Sequence, residues 1–489
     1  MSVEDLTRFG ATVLLVSVAV LIALVANRVS RLLRVPAPAL FLVAAALASD
    51  IWPALGRLTP LMDNRIVTVA LVVILFDGGM ALGWPRLRAA LGPVLWIGVM
   101  GTVVTAAGLA VATHALFGLP WRSALLLGTA LAPTDPAVVF SVLSGREISG
   151  RSGTILEGES GANDPVGIAL LISVLGAGGG GLSAVRDGLA EFALQMAVGL
   201  AVGLGGGLAL RWVARRVSLP GQQLYPIRMV AAATAIYGLA TVAHGSGFLA
   251  VFLAGILLGG VEAPYQAEVE RFTSALASLG EMVAFIVLGL SISLIPLLRS
   301  TDTLVGLAVA ALLIFAVRPV LVGVVLIPVR LRASERVFVL WAGLKGAVPI
   351  LLGLFLLAAG LPDAPRLYRI IFVVVLVSVV LQGGSVPLAA RLLRIPMRDA
   401  GLPRPDPAAA PPRDVPTYLH LYTVMAGSLA DGSQVTDLAL EERTELSLVR
   451  GNGELLPLRH DSRLHAGDRV LAYSQVGVDL DALFHADGR

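Results

Sequence analysis

From Val13 to about Arg391 the chain returns repeatedly to apolar runs long enough to cross a bilayer, and this recurrence sets the fold class. In lipid the backbone must satisfy its own hydrogen bonds, which makes helices of runs this long. Charge is correspondingly scarce. Asp, Glu, Lys and Arg make up 14% of residues, against roughly 25% in a soluble domain, too few to cover a soluble body of this size. The runs fall near 10–26, 36–52, 65–83, 92–114, 121–143, 154–175, 189–210, 226–243, 246–262, 274–297, 303–329, 336–359 and 369–390, thirteen in all. Only His244, Gly245 and Ser246 separate the eighth from the ninth, which reads as a tight hairpin or as one interrupted helix. Glu4 and Asp5 stand where a cleavable signal would carry positive charge, so the first helix is expected to be retained.

Loop arginines give an orientation. One set of loops holds Arg28, Arg31, Arg34, Arg86, Arg88, Arg146, Arg151, Arg211, Arg215, Arg216, Arg228, Arg271, Arg330, Arg332, Arg336, Arg391, Arg394 and Arg398, eighteen in total. The other holds Arg8, Arg57, Arg65, Arg122, Arg186, Arg299, Arg366 and Arg369, eight in total. The rich side is expected to be cytoplasmic, with the N-terminus outside and the C-terminus inside. The formal charge of +3 offers nucleic acid no electrostatic case, and the absence of cysteine excludes disulfides and thiolate metal sites.

The character changes near residue 395. Residues 396–416 read as a Pro-rich linker. Beyond it, 417–489 carries short apolar runs at Tyr418–Met425, Leu446–Val449 and Val470–Tyr473, separated by turn signals at Gly451-Asn452-Gly453 and Gly467-Asp468. This predicts a small, mainly β cytoplasmic domain, with Asp479–Phe484 as a closing helix. The predicted organisation is a transmembrane domain over 1–395, a linker, and this tail.

Ionisable groups inside apolar spans are costly and mark function. The chain has Asp77 in VVILFDGGM, Thr134-Asp135 in GTALAPTDPAVVF, a cluster at Glu157, Glu159, Ser160, Asn163 and Asp164, then Glu281, Arg318 and Lys345. Ser160 and Asp164 are four apart and share a helix face; Glu159 and Asn163 share a face rotated by about 100°. One face suits an oxygen-rich cation site and the other a structural ion pair, for which Arg318 is the best partner of Glu159. Pro133 and Pro136 bracket Thr134-Asp135 and predict a break that frees backbone carbonyls, natural ligands for a monovalent cation, with the Thr134 hydroxyl beside them. Asp77, Thr134, Ser160 and Asp164 make an all-oxygen set for hard monovalent cations. Blander roles exist for single residues: Asp77 at a helix end, Arg318 snorkelling to the interface, Glu157 at a helix terminus, Lys345 as a packing or helix-end partner, Glu281 at an interface or lining an ion path. The cluster over 157–164 resists such dilution.

These motifs are the ones by which the chain resembles the bacterial monovalent cation/proton antiporters of the sodium/proton exchanger type. The branch it is most similar to is that of potassium/proton antiporters with a cytoplasmic regulatory tail. The matching residues are Asp77-Gly78-Gly79, Thr134-Asp135, Glu159-Ser160 with Asn163-Asp164, Arg318, and Lys345 to Pro349; the resemblance covers about 10–395 and, separately, 415–486. It implies an all-α inverted-repeat antiporter fold assembled as a homodimer in the bacterial inner membrane. It implies that Asp164 alternately binds a proton or a cation, with Asp135 and Asn163 in the catalytic group and with Asp77, Thr134 and Ser160 completing the shell around K+ or Na+. Glu159 and Arg318 would form a salt bridge steadied by Asn163. The Asn-Asp pairing resembles that of electroneutral exchangers. Asp77 stands where many sodium exchangers have Glu, and Lys345 where an arginine is common. The tail resembles ligand-binding modules of potassium-transport regulators. That implies a nucleotide or cyclic dinucleotide as regulatory ligand, while a dimerising β domain that binds nothing fits the residues equally well. No cofactor for the transport step itself is implied.

The function expected is therefore exchange of K+, with Na+ second, for H+, and not an enzymatic reaction. A cation channel is the alternative within transport, although discrete carboxylates are not a repeated carbonyl filter. A non-transporting membrane sensor is the alternative outside it, and leaves the carboxylate cluster without a task.

Overall fold

The computed structural model describes residues 36–52, 59–135, 146–148, 151–177, 182–261, 263–399, 419–438, 445–449, 455–457, 462–473 and 481–484, with isolated Gly10 and Val139. The expected first span after Gly10, Pro136 with most of the second half of the 121–143 span, nearly all of the linker, and the Gly451-Asn452-Gly453 turn lie outside the described residues. The chain divides into two compact units, residues 1–400 and 401–489.

The first unit is helical. Its helices are α1 (Ala37–Ile51), α2 (Pro60–Leu95), α3 (Thr102–Phe117), α4 (Trp121–Leu131), α5 (Arg151–Gly176), α6 (Leu182–Arg216), α7 (Leu224–Val242) and α8 (Gly247–Leu258). They continue with α9 (Gln266–Leu290), α10 (Leu294–Leu298), α11 (Thr301–Leu312), α12 (Gly323–Val325), α13 (Ala333–Ala342), α14 (Ala347–Ala358), α15 (Ala364–Val377) and α16 (Gly384–Leu392). Seven helical stretches among the described residues are long and apolar enough to cross a membrane. The outer face of α6 exposes Leu189, Leu200, Leu208 and Trp212, which suits lipid and not water.

Three joints are π-helical: Trp96–Gly101 between α2 and α3, Leu313–Val322 between α11 and α12, and Ser378–Gly383 between α15 and α16. Such wide turns recur at functional positions, and the second carries Arg318 and Pro319. The expected spans 65–83 and 92–114 meet where α2 bends at Gly83, whose φ of 61° favours glycine. His244 has φ 59°, and the Ser246 hydroxyl accepts from the Leu249 N–H to start α8. The eighth and ninth runs are thus separate helices joined by a tight turn.

The span expected over 336–359 is present and broken inside: α13 stops at Ala342, and residues 343–346 are non-helical before α14 begins. One expectation is corrected. The linker does not begin at 396. Met397–Asp399 forms a strand (β2) paired antiparallel with Arg146–Ile148 (β1), with Glu147 opposite Arg398. The pairing joins two loops that the arginine count places on the same, rich side. On the poor side, Asp302 binds Arg366 at 3.3 Å and Arg369 at 2.8 Å.

The second unit carries β3 (Leu419–Thr423), β4 (Glu445–Val449), β5 (Leu455–Pro457) and β6 (Arg469–Tyr473) in an antiparallel sheet of order β3-β6-β4-β5, followed by the short helix Asp481–Phe484. Its small core includes Tyr422, Val424, Leu464, Val470 and Phe484, with the Tyr422 and Phe484 rings stacked at 4.8 Å.

Candidate cation-binding site

Two interrupted helices meet in the middle of the first unit. The first interruption follows α4 at Ala132–Asp135, where proline cannot supply a backbone donor. The second is residues 343–346, between α13 and α14. They cross: the Asp135 N–H donates to the Leu344 carbonyl at 2.9 Å. Crossing is tight because the second interruption has glycines where side chains would collide. A Cβ on Gly343 would overlap the Arg318 guanidinium, and one on Gly346 would overlap the Asp135 carboxylate.

A helix C-terminus leaves carbonyls without partners and a partial negative charge. Both ends here are capped by buried cations. The Lys345 ammonium donates to the carbonyls of Ala132 at 2.8 Å and Pro133 at 2.9 Å. The Arg318 guanidinium donates to Leu340 at 3.0 Å and Val339 at 3.2 Å, at the end of α13. Arg318 also pairs with Glu159 at 2.9 Å, with both side chains almost fully buried.

The helix α5 supplies the rest. The Ser160 hydroxyl donates to the Thr134 carbonyl. Asn163 brackets Thr134, its amide donating to the Thr134 hydroxyl at 2.7 Å and its carbonyl oxygen accepting from the Thr134 N–H at 3.3 Å. One turn beyond Ser160, Asp164 is buried, and its Oδ1 has no hydrogen-bond partner among the described residues. Asp135 and Lys345 are the charges acting on it. The chemistry of this group is that of an unsatisfied carboxylate with hydroxyl and carbonyl oxygens at hand, in a place where a bare charge is expensive.

The structure therefore joins Thr134, Asp135, Ser160, Asn163 and Asp164, and joins Glu159 to Arg318. Three details come from the geometry. Among the described residues Asn163 hydrogen-bonds Thr134 and not the ion pair. The carbonyls of Ala132 and Pro133, expected to face a cation, are occupied by Lys345, which acts as a helix-end partner. Asp77 accepts from the Ser274 hydroxyl at 2.8 Å and lines a cavity of about 380 Å³ with Arg86, Glu270 and Ser274. Glu157 faces Arg86 at 3.7 Å. The second interruption had a sequence signal in Gly343, Gly346 and Pro349 around Lys345, which mirrors the prolines of the first.

Comparison with known proteins gives the following. The family described as sodium/hydrogen exchanger, transmembrane, matches residues 16–392. The chain is 34% identical to the K(+)/H(+) antiporter NhaP of Alkalimonas amylolytica over 94% of this chain and 80% of that protein. It is 33% identical to the K(+)/H(+) antiporter NhaP2 of Shewanella oneidensis over 97% of this chain and 82% of that one. The solved structure of the sodium proton antiporter MjNhaP1 from Methanocaldococcus jannaschii superposes with a TM-score of 0.66 at 21% identity, covering 77% of this chain and 99% of its own, a likeness of fold.

Proposed function

This chain belongs to the sodium/hydrogen exchanger family and is a multi-pass membrane cation/proton antiporter, and from that premise we propose that it exchanges K+, with Na+ second, for H+ by competition at Asp164. The choice of K+ rests on relatives named K(+)/H(+) antiporters that align along nearly the whole chain. A relative 27% identical over 65% of the chain, from Halobacillus aidingensis, is named a Na(+)/H(+) antiporter and keeps Na+ in second place.

The observation that carries the mechanism is the buried, unpartnered Oδ1 of Asp164 beside two crossed helix breaks. Proton and cation oppose each other at one carboxylate, because each neutralises the charge the other needs. With either bound, the charge is compensated and the site can reorient; empty and ionised, it is held back by the cost of moving a bare charge through a low dielectric. Thr134 and Ser160 supply neutral oxygens beside it, with Asp135 as a second negative charge and Asn163 fixing Thr134. Asp77 joins this pathway from its own cavity. Glu159 and Arg318 hold the scaffold.

The protein works as a homodimer in the bacterial inner membrane, N-terminus outside, with the sheet-bearing C-terminal unit in the cytoplasm as a regulator that answers to a nucleotide or cyclic dinucleotide. Support for the sidedness comes from the arginine bias of the loops.

The test is proton movement in proteoliposomes after addition of K+, Na+, Li+ or Ca2+. Wild type responds to K+ or Na+. Asp164→Asn, which keeps the shape but cannot ionise, folds and shows no cation-dependent proton movement, and Asp164→Glu keeps a weak response. Wild-type exchange by Asp164→Asn overturns the role of Asp164, and a response to Ca2+ without one to K+ or Na+ overturns the ion class.

A further inference from the structure

Helix α9 carries acids that the exchange mechanism above does not use. Glu270, Ser274 and Glu281 are spaced four and seven residues apart and so lie along one face. At one end of this line, Ser274 holds Asp77, and both line the 380 Å³ cavity with Glu270 and Arg86. The rise of a helix puts Glu281 about 10 Å further along than Ser274. There its Oε1 is sealed from solvent and has no hydrogen-bond partner among the described residues. Asp135 is a like charge acting on Glu281, and it sits in the first break, which crosses the second just before α14 begins. The packing of α9 agrees, since it touches both α2, which carries Asp77, and α14, which starts just after the second break.

We propose that Glu281 is a staging site for the transported monovalent cation, a second carboxylate that holds it between the Asp77 cavity and Asp164. The inference rests on the antiport reading and adds a residue and a route to it. The structural acid Glu159 also leaves one buried oxygen, Oε2, unmet, but Arg318 at 2.9 Å balances its charge. Glu281 instead pairs an unmet oxygen with a like-charged neighbour, the arrangement a desolvated cation stabilises. Lys345 directs its ammonium to the carbonyls of Ala132 and Pro133 and makes no ion pair with Glu281 among the described residues. Conduction along a path of this kind needs several sites, each strong enough to take the ion and weak enough to release it. The line from Glu270 and Asp77 through Glu281 to Asp135 and Asp164 provides them.

The test compares wild type, Asp164→Asn, Glu281→Gln and Glu281→Asp in right-side-out and everted vesicles, with K+ as the probe. Glu281→Gln keeps size and hydrogen-bonding capacity but loses the charge. It raises the KM for K+ roughly tenfold or more from the face onto which the Asp77 cavity opens, because a direct charge contact is lost, while the rate at saturating K+ is retained. Glu281→Asp recovers part of the affinity, which also decides the matter should the glutamine variant fold poorly. A KM for K+ unchanged from both faces in Glu281→Gln overturns the proposal, as does a fall in Tm without K+ accompanied by an unchanged KM, the mark of a structural carboxyl. The rise in Tm on adding K+ to detergent-purified protein reads the site without transport. It shrinks in Glu281→Gln if the proposal holds, so a failure of Asp164→Asn to abolish exchange strikes the role of Asp164 alone.

Discussion

The two helix breaks pose the same physical problem and solve it differently. Each leaves a half-helix ending inside the membrane unit, with carbonyls that need a partner. At the end of α13 the cap is Arg318, and Glu159 fixes it in a 2.9 Å ion pair. At the end of α4 the cap is Lys345, which comes from the other break and lies within electrostatic reach of Asp164 without being its hydrogen-bond partner. The first arrangement is closed: its charges are balanced within the scaffold. The second is open, because the balance of Lys345 and its acidic neighbours depends on what occupies Asp164. A transporter with one rigid and one adjustable crossing has a fixed frame against which a site can change charge.

The largest effect expected from breaking this contrast is on the closed side. Arg318→Ala leaves Glu159 buried without its cation and two carbonyls without a cap, a loss of about 3–5 kcal/mol of stability. Its melting temperature in detergent should fall sharply, and so should that of Glu159→Ala. In whatever folded fraction remains, the KM for K+ should stay close to that of wild type. Unchanged melting of both single variants would mean that the pair does not hold the scaffold.

A smaller stability loss and a functional shift are expected on the open side. Lys345→Met leaves the carbonyls of Ala132 and Pro133 unmet, at about 1–3 kcal/mol. It also removes a positive charge acting on Asp164, so a cation there is repelled less and the KM for K+ should fall. Melting curves and K+ titrations of proton movement read the two effects separately. A KM that rises in Lys345→Met, or one that falls equally in Arg318→Ala, would erase the distinction between the breaks.

Much of this was legible in the sequence for a physical reason: carboxylates and arginines stand out against apolar spans that have no need of them. The faces of α5 followed from four-residue spacing, and the first break from Pro133 and Pro136. The second break left a weaker signal, because Gly343, Leu344 and Gly346 do not end an apolar run as a proline pair does; only the crossing explains why a side chain is excluded at both glycines. The partner of Lys345 was also out of reach, since sequence shows a charge but not which distant carbonyls it meets. Asp77 was grouped with Asp164 by chemistry alone, and its position depends on how α9 brings Ser274 and Glu270 to it. Pairing of Met397–Asp399 with 146–148 was masked by the prolines that follow.

That last pairing gives the smallest expected effect and ties the chain's end to the first break alone. The segment 146–148 follows the break at Ala132–Asp135 and precedes α5, the helix of Asp164, and β2 is its strand partner. A chain ending after Ala400 keeps this pairing and the whole first unit. It should insert and exchange K+ for H+ at close to the wild-type maximal rate, with a changed response to pH or to a cytoplasmic ligand. A chain ending at Pro396 removes the three residues of β2. Their ladder bonds are net weak, about 1 kcal/mol each, so this shorter chain should still exchange but melt slightly below the one ending at Ala400. The comparison uses two deletions four residues apart, read by proteoliposome flux across pH and by melting in detergent. Equal melting would show that β2 does not support the loop leading into α5. Complete loss of exchange in the chain ending at Ala400, with normal insertion, would make the C-terminal unit part of the exchanging machinery and not its regulator.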